Sequence, residues 1–334
     1  MNPSIHFDGR TWRCVIRCSD YAMPDGVTVR SDSARPGESR TKNAMVIFDP
    51  RRWRPVEIYK MREYDELPRA SCGSVGYEDM RIFRTDRGGL QCIAAALHIE
   101  QADRRKQIAE QVILSLDDQY DVVDAQPIRG GWSDAPQKNW VPFDHCEEPR
   151  FLYEIDKGTL FDDRGELRSK EAIVRPSSRP RRLYDPDEEL RARAADRADE
   201  TDRNRRRDRR EDDRDGRALE VAVSQVPSCQ GLRGGSQLVR IGDDAWLGIG
   251  HAMRFVDKRK YYWHVWYLVD SRGKPKSASL PMKLAPNGIE FAAGLAIDGD
   301  RVVVSFGVDD MEARLGETSL SAVLAKLQAI PRSQ

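Results

Sequence analysis

Residues 74–84 read SVGYEDMRIFR, and the doublet Glu78-Asp79 stands immediately before an apolar run that opens a strand. Adjacent carboxylates repel each other, and at a buried strand start they cost free energy unless a neighbour such as Arg81, or a bound ligand, compensates. The same arrangement, a polar signature leading into an apolar strand with further strands behind it, recurs along the chain. NPSIHF is followed by TWRCVIRC and NAMVIFD, YEDMRIF by LQCIAAALHI and EQVILSL, and KNWVPF by RFLYEI. Further on, GGSQLVRI is followed by AWLGIGHAM and YYWHVWYLVD, and GIEFAAGLAI by RVVVSFGV.

Nearly every apolar run is short, rich in β-branched or aromatic residues, and bounded by Gly, Pro, Asp or Asn, which is the pattern of strands and turns. Helical spacing is confined to the C-terminal SLSAVLAKLQAI and to part of one charged segment. An antiparallel sheet of about four strands cannot bury both faces alone, but repeated sheets stacked around an axis can. The sequence therefore predicts an all-β, five-bladed β-propeller over residues 1–334 as one domain, closed by a short C-terminal helix. In such a wheel the first strand of each blade lines the central channel, so the polar unit starts converge on one funnel. A β-sandwich explains the strand content but not this recurrence.

The chain has 334 residues, 39% of them hydrophobic and 33% charged, and the excess of charge is local. Residues 176–217, between units three and four, hold almost no core-forming side chains and read as a charged insertion, helical or disordered. Its RNRRRDRR run is interleaved with acids, which argues against a nucleic-acid arm. Lys and Arg total 55 and so do Asp and Glu, so the long-range field that nucleic-acid and anionic-membrane binders exploit is missing. No signal-peptide pattern and no membrane-spanning apolar stretch occur, and a cytoplasmic protein is expected. Six cysteines without a CxxC pair read as reduced thiols. Cys14 and Cys18, alternating with Trp12 and Ile16, read as small buried hydrophobes. DHCEE, residues 144–148, superficially resembles a metal cluster, but its spacing fits no zinc pattern and it is assigned to a loop. No metal or cofactor is expected.

GYEDMRIF resembles the EDPR signature of the five-bladed propellers of glycoside hydrolase family 130, the mannoside phosphorylases with their hydrolase and mannosyltransferase-like relatives. GGSQLVRIGDDAWLGIGHA is similar to that family's glycine-rich turn and histidine-ended strand, and YYWHVWYLVD to its following tyrosine-bearing strand. SFGVDD is similar to its late YGAAD element, and KNWVPF to its lysine-acid-Phe-Pro element. Met80 stands where the family usually has proline. The likeness implies an enzyme that cleaves or forms glycosidic bonds, of a β-mannoside or related hexoside, by an inverting acid/base mechanism.

Such chemistry needs a proton delivered to, or taken from, the bridging oxygen, and a carboxyl group is the usual device. The resemblance puts the general acid at Asp79, with Glu78 contacting sugar or holding Arg81. The adjacent charge of Glu78 would help keep one carboxyl protonated, and Arg81 would oppose this. Arg81, Lys138 and Asn139 complete the expected sugar contacts on units two and three, with Trp140 placed to stack on a pyranose face. Asp310 matches the late aspartate and would grip sugar at the channel mouth, with Asp309 as the alternative if the register slips by one. Glu290, between Ile289 and Phe291, would face the funnel. Trp263 and Trp266 alternate within a strand and read as core.

For an anion, His251 matches the family histidine, Tyr261 or Tyr262 its tyrosine, and Arg233 stands in for its lysine; Arg233, His251 and Tyr262 form the expected set. Where the phosphorylases carry a His-Arg pair this chain has Tyr153 and Glu154, and Gln137 is not arginine either. The thinned anion site favours hydrolysis, or transfer from a sugar-phosphate or sugar-nucleotide donor whose phosphate Lys138 could bind, over phosphorolysis. The expected partners are a carbohydrate and, for some reactions, phosphate or such a donor, with neither nucleic acid nor membrane. A glycan-binding propeller without catalysis, or a protein-interaction propeller gripped by its insertion, are the rival readings.

Overall fold

A computed structural model describes residues 1–19, 21–22, 30–31, 39–49, 51–62, 74–86, 89–99, 107–128, 139–168, 228–256, 259–285 and 288–330. It is a five-bladed β-propeller, and the strands form the sheets that the repeating units define. Blade one orders Pro3–Phe7, Trp12–Ser19, Ser39–Asp49 and Arg54–Lys60 from the axis outwards, and blade two Tyr77–Thr85, Gly89–Ile99, Gln107–Leu116 and Val122–Pro127. Blade three has Val141–Pro142, Arg150–Glu154 and Thr159–Asp162, and blade five Glu290–Asp298, Arg301–Val308 and Glu312–Ser319. In blade four, Arg233–Gly234 and Val239–Gly242 both pair with Ala245–Val256, followed outwards by Arg259–Val269 and Pro275–Ala278. The charged insertion, 176–217, lies outside the described residues.

The core is five wedges, one between each pair of neighbouring blades, and strand periodicity fills them. Successive side chains of a strand point to opposite faces, so neighbours in sequence belong to different wedges. Ile82 and Cys92 pack with Val15 and Met45 of blade one, whereas Phe83 and Ile93 pack with Phe151 and Phe161 of blade three. Tyr267 and Val265 turn to blade three, and Trp266 between them turns to Leu295 and Val304 of blade five. Val303 joins Ile5, Trp12 and Cys14 in the wedge between blades five and one.

The ring closes without strand exchange, since blade one is built from the first part of the chain and blade five from the last. The join is made by polar side chains and close backbone approach. Ser305 Oγ accepts from Ile5 N at 2.9 Å and donates to Pro3 O at 2.7 Å. Gln237, fully buried, donates Nε2 to Ile5 O and Leu295 O and accepts from Leu295 N, so blade four clips blades one and five together. At Gly294 a Cβ would fall 2.2 Å from Ile5 N and 2.4 Å from Ser305 Oγ, which is why the position cannot carry a side chain.

The C-terminal helix is shorter than its spacing suggests. It covers Leu320–Ala325, capped by Ser319 accepting from Ala322 N, and Gln328–Ala329 then pairs as an edge strand with Pro275–Ala278 of blade four. Among the described residues no helix is long and apolar enough to cross a membrane.

Candidate active site

Every blade contributes to one end of the axis, where its innermost strand begins. In blade two the ladder with Gly89–Ile99 slips between Glu78 and Arg81, and Asp79 inside the slip has φ 51°. An aspartate accepts this left-handed conformation at a cost of about 1 kcal/mol, and a bulge of this kind re-aims a side chain out of the ladder. Of the two carboxylates, Asp79 keeps 17% side-chain exposure and Glu78 only 7%.

The doublet's charge is met from blade one. Arg17 reaches both carboxylates, Nη1 at 2.9 Å from Asp79 Oδ1 and Nη2 at 3.2 Å from Glu78 Oε1, and Asn2 Nδ2 donates to the same Asp79 oxygen at 2.7 Å. This corrects one expectation: the cation that pairs with the doublet is Arg17 and not Arg81. Arg81 turns the other way, donating Nε to Gly235 O and Nη2 to Asn139 Oδ1 at 2.9 Å, with its guanidinium 5.7 Å from the Phe291 ring centroid. Burial, opposed by Asp79, pushes the Arg81 pKa down to about 10, so it stays a cation at neutral pH.

The glycine pair of blade four has a steric reason. A Cβ at Gly234 would lie 2.1 Å from Asn139 O, and one at Gly235 would lie 2.3 Å from Ile249 O. Only glycine lets the backbones of blades three and four approach so closely, and the approach presents the Gly235 carbonyl to Arg81. His251, paired in register with Arg233, packs its ring 5.0 Å from Phe291 and 5.4 Å from Tyr262. Burial above all, then His264, Arg81 and Arg233, hold His251 well below the ordinary histidine range against the pull of Asp79. Burial likewise raises the Tyr262 phenol; Arg233 opposes this, while Asp310 and Asp79 add to it. Arg233 itself is exposed.

Asp309 and Asp310 both have left-handed backbone, φ 53° and 54°. Asp309 is spent on its turn, with Oδ1 accepting from Ile289 N at 2.7 Å, and Asp310 is the one whose charge reaches Tyr262. The structure thus brings Asp79, Glu78, Arg81, Asn139, Arg233, His251, Tyr262 and Asp310 to one end of the axis. Asn2 and Arg17 join them, and neither was singled out from sequence. Arg17 carried a signal, because a cation inside the apolar strand WRCVIRC demands a buried acid for a partner.

Two expected sugar contacts are placed elsewhere. Trp140 is fully buried, stacked on Phe161 at 5.1 Å and packed with Phe151 in the wedge between blades two and three, so it offers no face to a pyranose. Glu290 is also fully buried, its Oε2 accepting from the Leu284 and Ala285 amides and its Oε1 3.6 Å from His264 Nδ1, so it holds a loop and does not open to the funnel. Lys138 and Gln137 lie outside the described residues. Tyr153 packs on Trp140, and Glu154 takes Lys157 and Thr159 within its own hairpin. At the opposite end of the axis, His6, Asp144 and His145 bring one potential metal-ligand atom each within 4.8 Å of the others.

No family model and no curated protein matches the chain. Solved structures do. A structure described with the family 130 mannoside phosphorylases that contain glycoside hydrolases targeting β-1,2-mannosidic linkages in Candida mannan superimposes with a TM-score of 0.55 at 11% identity, over 96% of this chain and 84% of that one. A glycosyl hydrolase from Bacteroides ovatus gives 0.54 at 10% identity, over 96% and 84%. The β-1,2-mannobiose phosphorylase of Listeria innocua, in complex with β-1,2-mannobiose, gives 0.51 at 10% identity, over 98% and 91%. The chain has the propeller fold of glycoside hydrolase family 130.

Proposed function

We propose that the chain is a carbohydrate-active enzyme that cleaves or forms the glycosidic bond of a β-mannoside or related hexoside with inversion, using Asp79 as acid/base. The observation that carries the proposal is the bulge that sets Asp79, still partly exposed, at the axis beside Arg17, Asn2 and the cluster of His251, Tyr262, Arg233 and Asp310. Arg17 Nη1 and Asn2 Nδ2 both hold Asp79 Oδ1, which fixes the carboxylate at the axis. In bond formation it would accept the proton of an acceptor hydroxyl whose oxygen attacks the donor's anomeric carbon as the leaving group departs from the opposite face. In hydrolysis protonated Asp79 would give its proton to the bridging oxygen as that oxygen leaves the anomeric carbon, while a water attacks the same carbon from the opposite face and releases its own proton to solvent; binding sugar would have to draw Asp79 away from Arg17 first. Asp310 is assigned to gripping the sugar.

Hydrolysis or transfer is preferred to phosphorolysis. Among the described residues, Arg17 is committed to the carboxylates and Arg81 to Gly235 and Asn139, which leaves Arg233, with Tyr262 and a neutral His251, to meet an anion at this end of the axis. A cytoplasmic location belongs to the same reading, supported by the unbridged thiols of Cys14, Cys92, Cys146 and Cys229. The ion-paired resting state of Asp79 also supports a second reading, a glycan-binding propeller without catalysis. Incubation with β-mannosides, alone, with phosphate, and with sugar-phosphate or sugar-nucleotide donors, separates the two when products and their anomeric configuration are read by NMR. Inverted product without added phosphate is expected. Turnover only with phosphate would overturn the preferred reaction, and saturable sugar binding without turnover would leave the binding module.

A further inference from the structure

We propose that the end of the axis opposite Asp79 is a binding site for one divalent transition-metal ion of zinc's class, held by His6, Asp144 and His145. The innermost strands fix its position. Asn2, which touches Asp79, and His6 lie at opposite ends of the first strand, about 13 Å apart at about 3.3 Å per residue. Blade two runs in the same sense from Asp79 to Arg84, whose amide donates to Asp144 Oδ1 at 2.8 Å. The site is therefore separate from the carbohydrate site.

The ligand atoms are nearly assembled. His6 Nε2 lies 3.2 Å from Asp144 Oδ1 and His145 Nε2 lies 3.8 Å from Asp144 Oδ2, and one such atom from each residue falls within 4.8 Å of the others. Bonds of about 2.0–2.1 Å to a tetrahedral zinc set ligand atoms about 3.3 Å apart, so closure needs a movement of roughly 1 Å. His145 can supply it, because its side chain is 43% exposed while His6 and Asp144 are buried. The exposed imidazole also leaves a way in for the ion.

Asp144 and His145 are held as ligands usually are. The Asp144 carboxylate is oriented by the Arg84 amide, its own amide donates to Leu238 O, and the His145 amide donates to Arg84 O. His145 takes φ 52°, a left-handed conformation that a non-glycine residue adopts at a cost. The second His6 nitrogen, Nδ1, is buried without a hydrogen-bond partner among the described residues. That nitrogen is not the one facing Asp144, and it would carry the ring proton when Nε2 takes the ion. Two imidazoles and one carboxylate select zinc and its neighbours over calcium or magnesium, which take oxygen ligands, and three protein ligands leave a position for water. The ion would tie blade one to the loop after the innermost strand of blade three, which blade two already touches through Arg84.

The test is calorimetric titration of zinc chloride into chelator-treated full-length protein, with calcium chloride as the control and His145→Ala and His6→Gln as variants. One zinc ion per chain at micromolar affinity or tighter, no calcium response, and affinity reduced by about tenfold or more in both variants are expected. His145 is exposed and far from the carbohydrate site, so His145→Ala should keep its circular dichroism spectrum and any glycosidic activity. Absence of stoichiometric zinc binding to the parent protein, or binding that survives His145→Ala unchanged, would overturn the proposal, whatever becomes of the carbohydrate reading.

Discussion

At the scale of single residues, the carboxylate doublet shows how a charge problem is solved by position. Glu78 and Asp79 share one cation, Arg17, which approaches from blade one, while Arg81 serves blades three and four. The histidines of blade four give a pH signature. Burial lowers the pKa of both His251 and His264 from the ordinary 6.5. The unfolded chain therefore binds protons first as pH falls, so the stability these groups contribute is complete above about pH 6.5 and is lost below it. The loss is at most about 1.4 kcal/mol per pH unit for each histidine until its folded-state value is reached. Asp144, held below the ordinary 3.8 by His6, His145 and the Arg84 amide despite burial, contributes stability that is present above about pH 3.8 and is lost only below it. Denaturant unfolding at pH 7 and pH 5 should show the decline, and His251→Gln should flatten it; an unchanged slope would contradict a buried neutral His251.

At the scale of elements, the innermost strands do two jobs, and their sequences separate them. Asn2, Asp79 and Asn139, at the starts of the innermost strands of blades one to three, lie at the Asp79 end of the axis, while residues further along join blades to one another. Gln237 is the clearest joint, since its removal strands Ile5 O, Leu295 O and Leu295 N in a buried place. Each buried group left unsatisfied costs about 1–3 kcal/mol, so Gln237→Ala should lose at least about 3 kcal/mol in denaturant unfolding. A loss below about 0.5 kcal/mol, the scale of a surface substitution, would show that the joint does not hold the ring. The same division explains which site residues were legible. Asp79 and Asp310 stand near strand ends, which short motifs mark, whereas the strand expected to end at His251 runs on to Val256 and Tyr262 lies inside Arg259–Val269. Trp140 and Glu290 stand at strand starts too, but whether a side chain there faces the axis or a wedge depends on the twist of the neighbouring blade, which no local pattern encodes. Asn2 and Arg17 act through a partner 62 or more residues away in sequence, so no local motif announces them.

At the scale of the whole molecule, the recurrence of polar start and apolar strands was enough to specify the wheel, because alternation along each strand assigns its side chains to two wedges and stacking is the arrangement that buries both. The helix ended early because QAI completes the edge of blade four, a tertiary demand that helical spacing does not reveal. DHCEE is a loop, as its sequence suggests, and its spacing alone could not reveal His6 as a neighbour of Asp144 and His145, because His6 comes from the first strand of the chain. What unites these observations is that the axis has two chemically distinct ends, and the proposed function rests on one of them. The most direct measurement is therefore turnover of a β-mannoside or related hexoside substrate by Asp79→Asn beside the parent protein, with melting midpoints compared. The rate should fall by about 10²- to 10⁴-fold while the midpoint stays close to the parent's. Full activity in the variant would mean that Asp79 is not the acid/base.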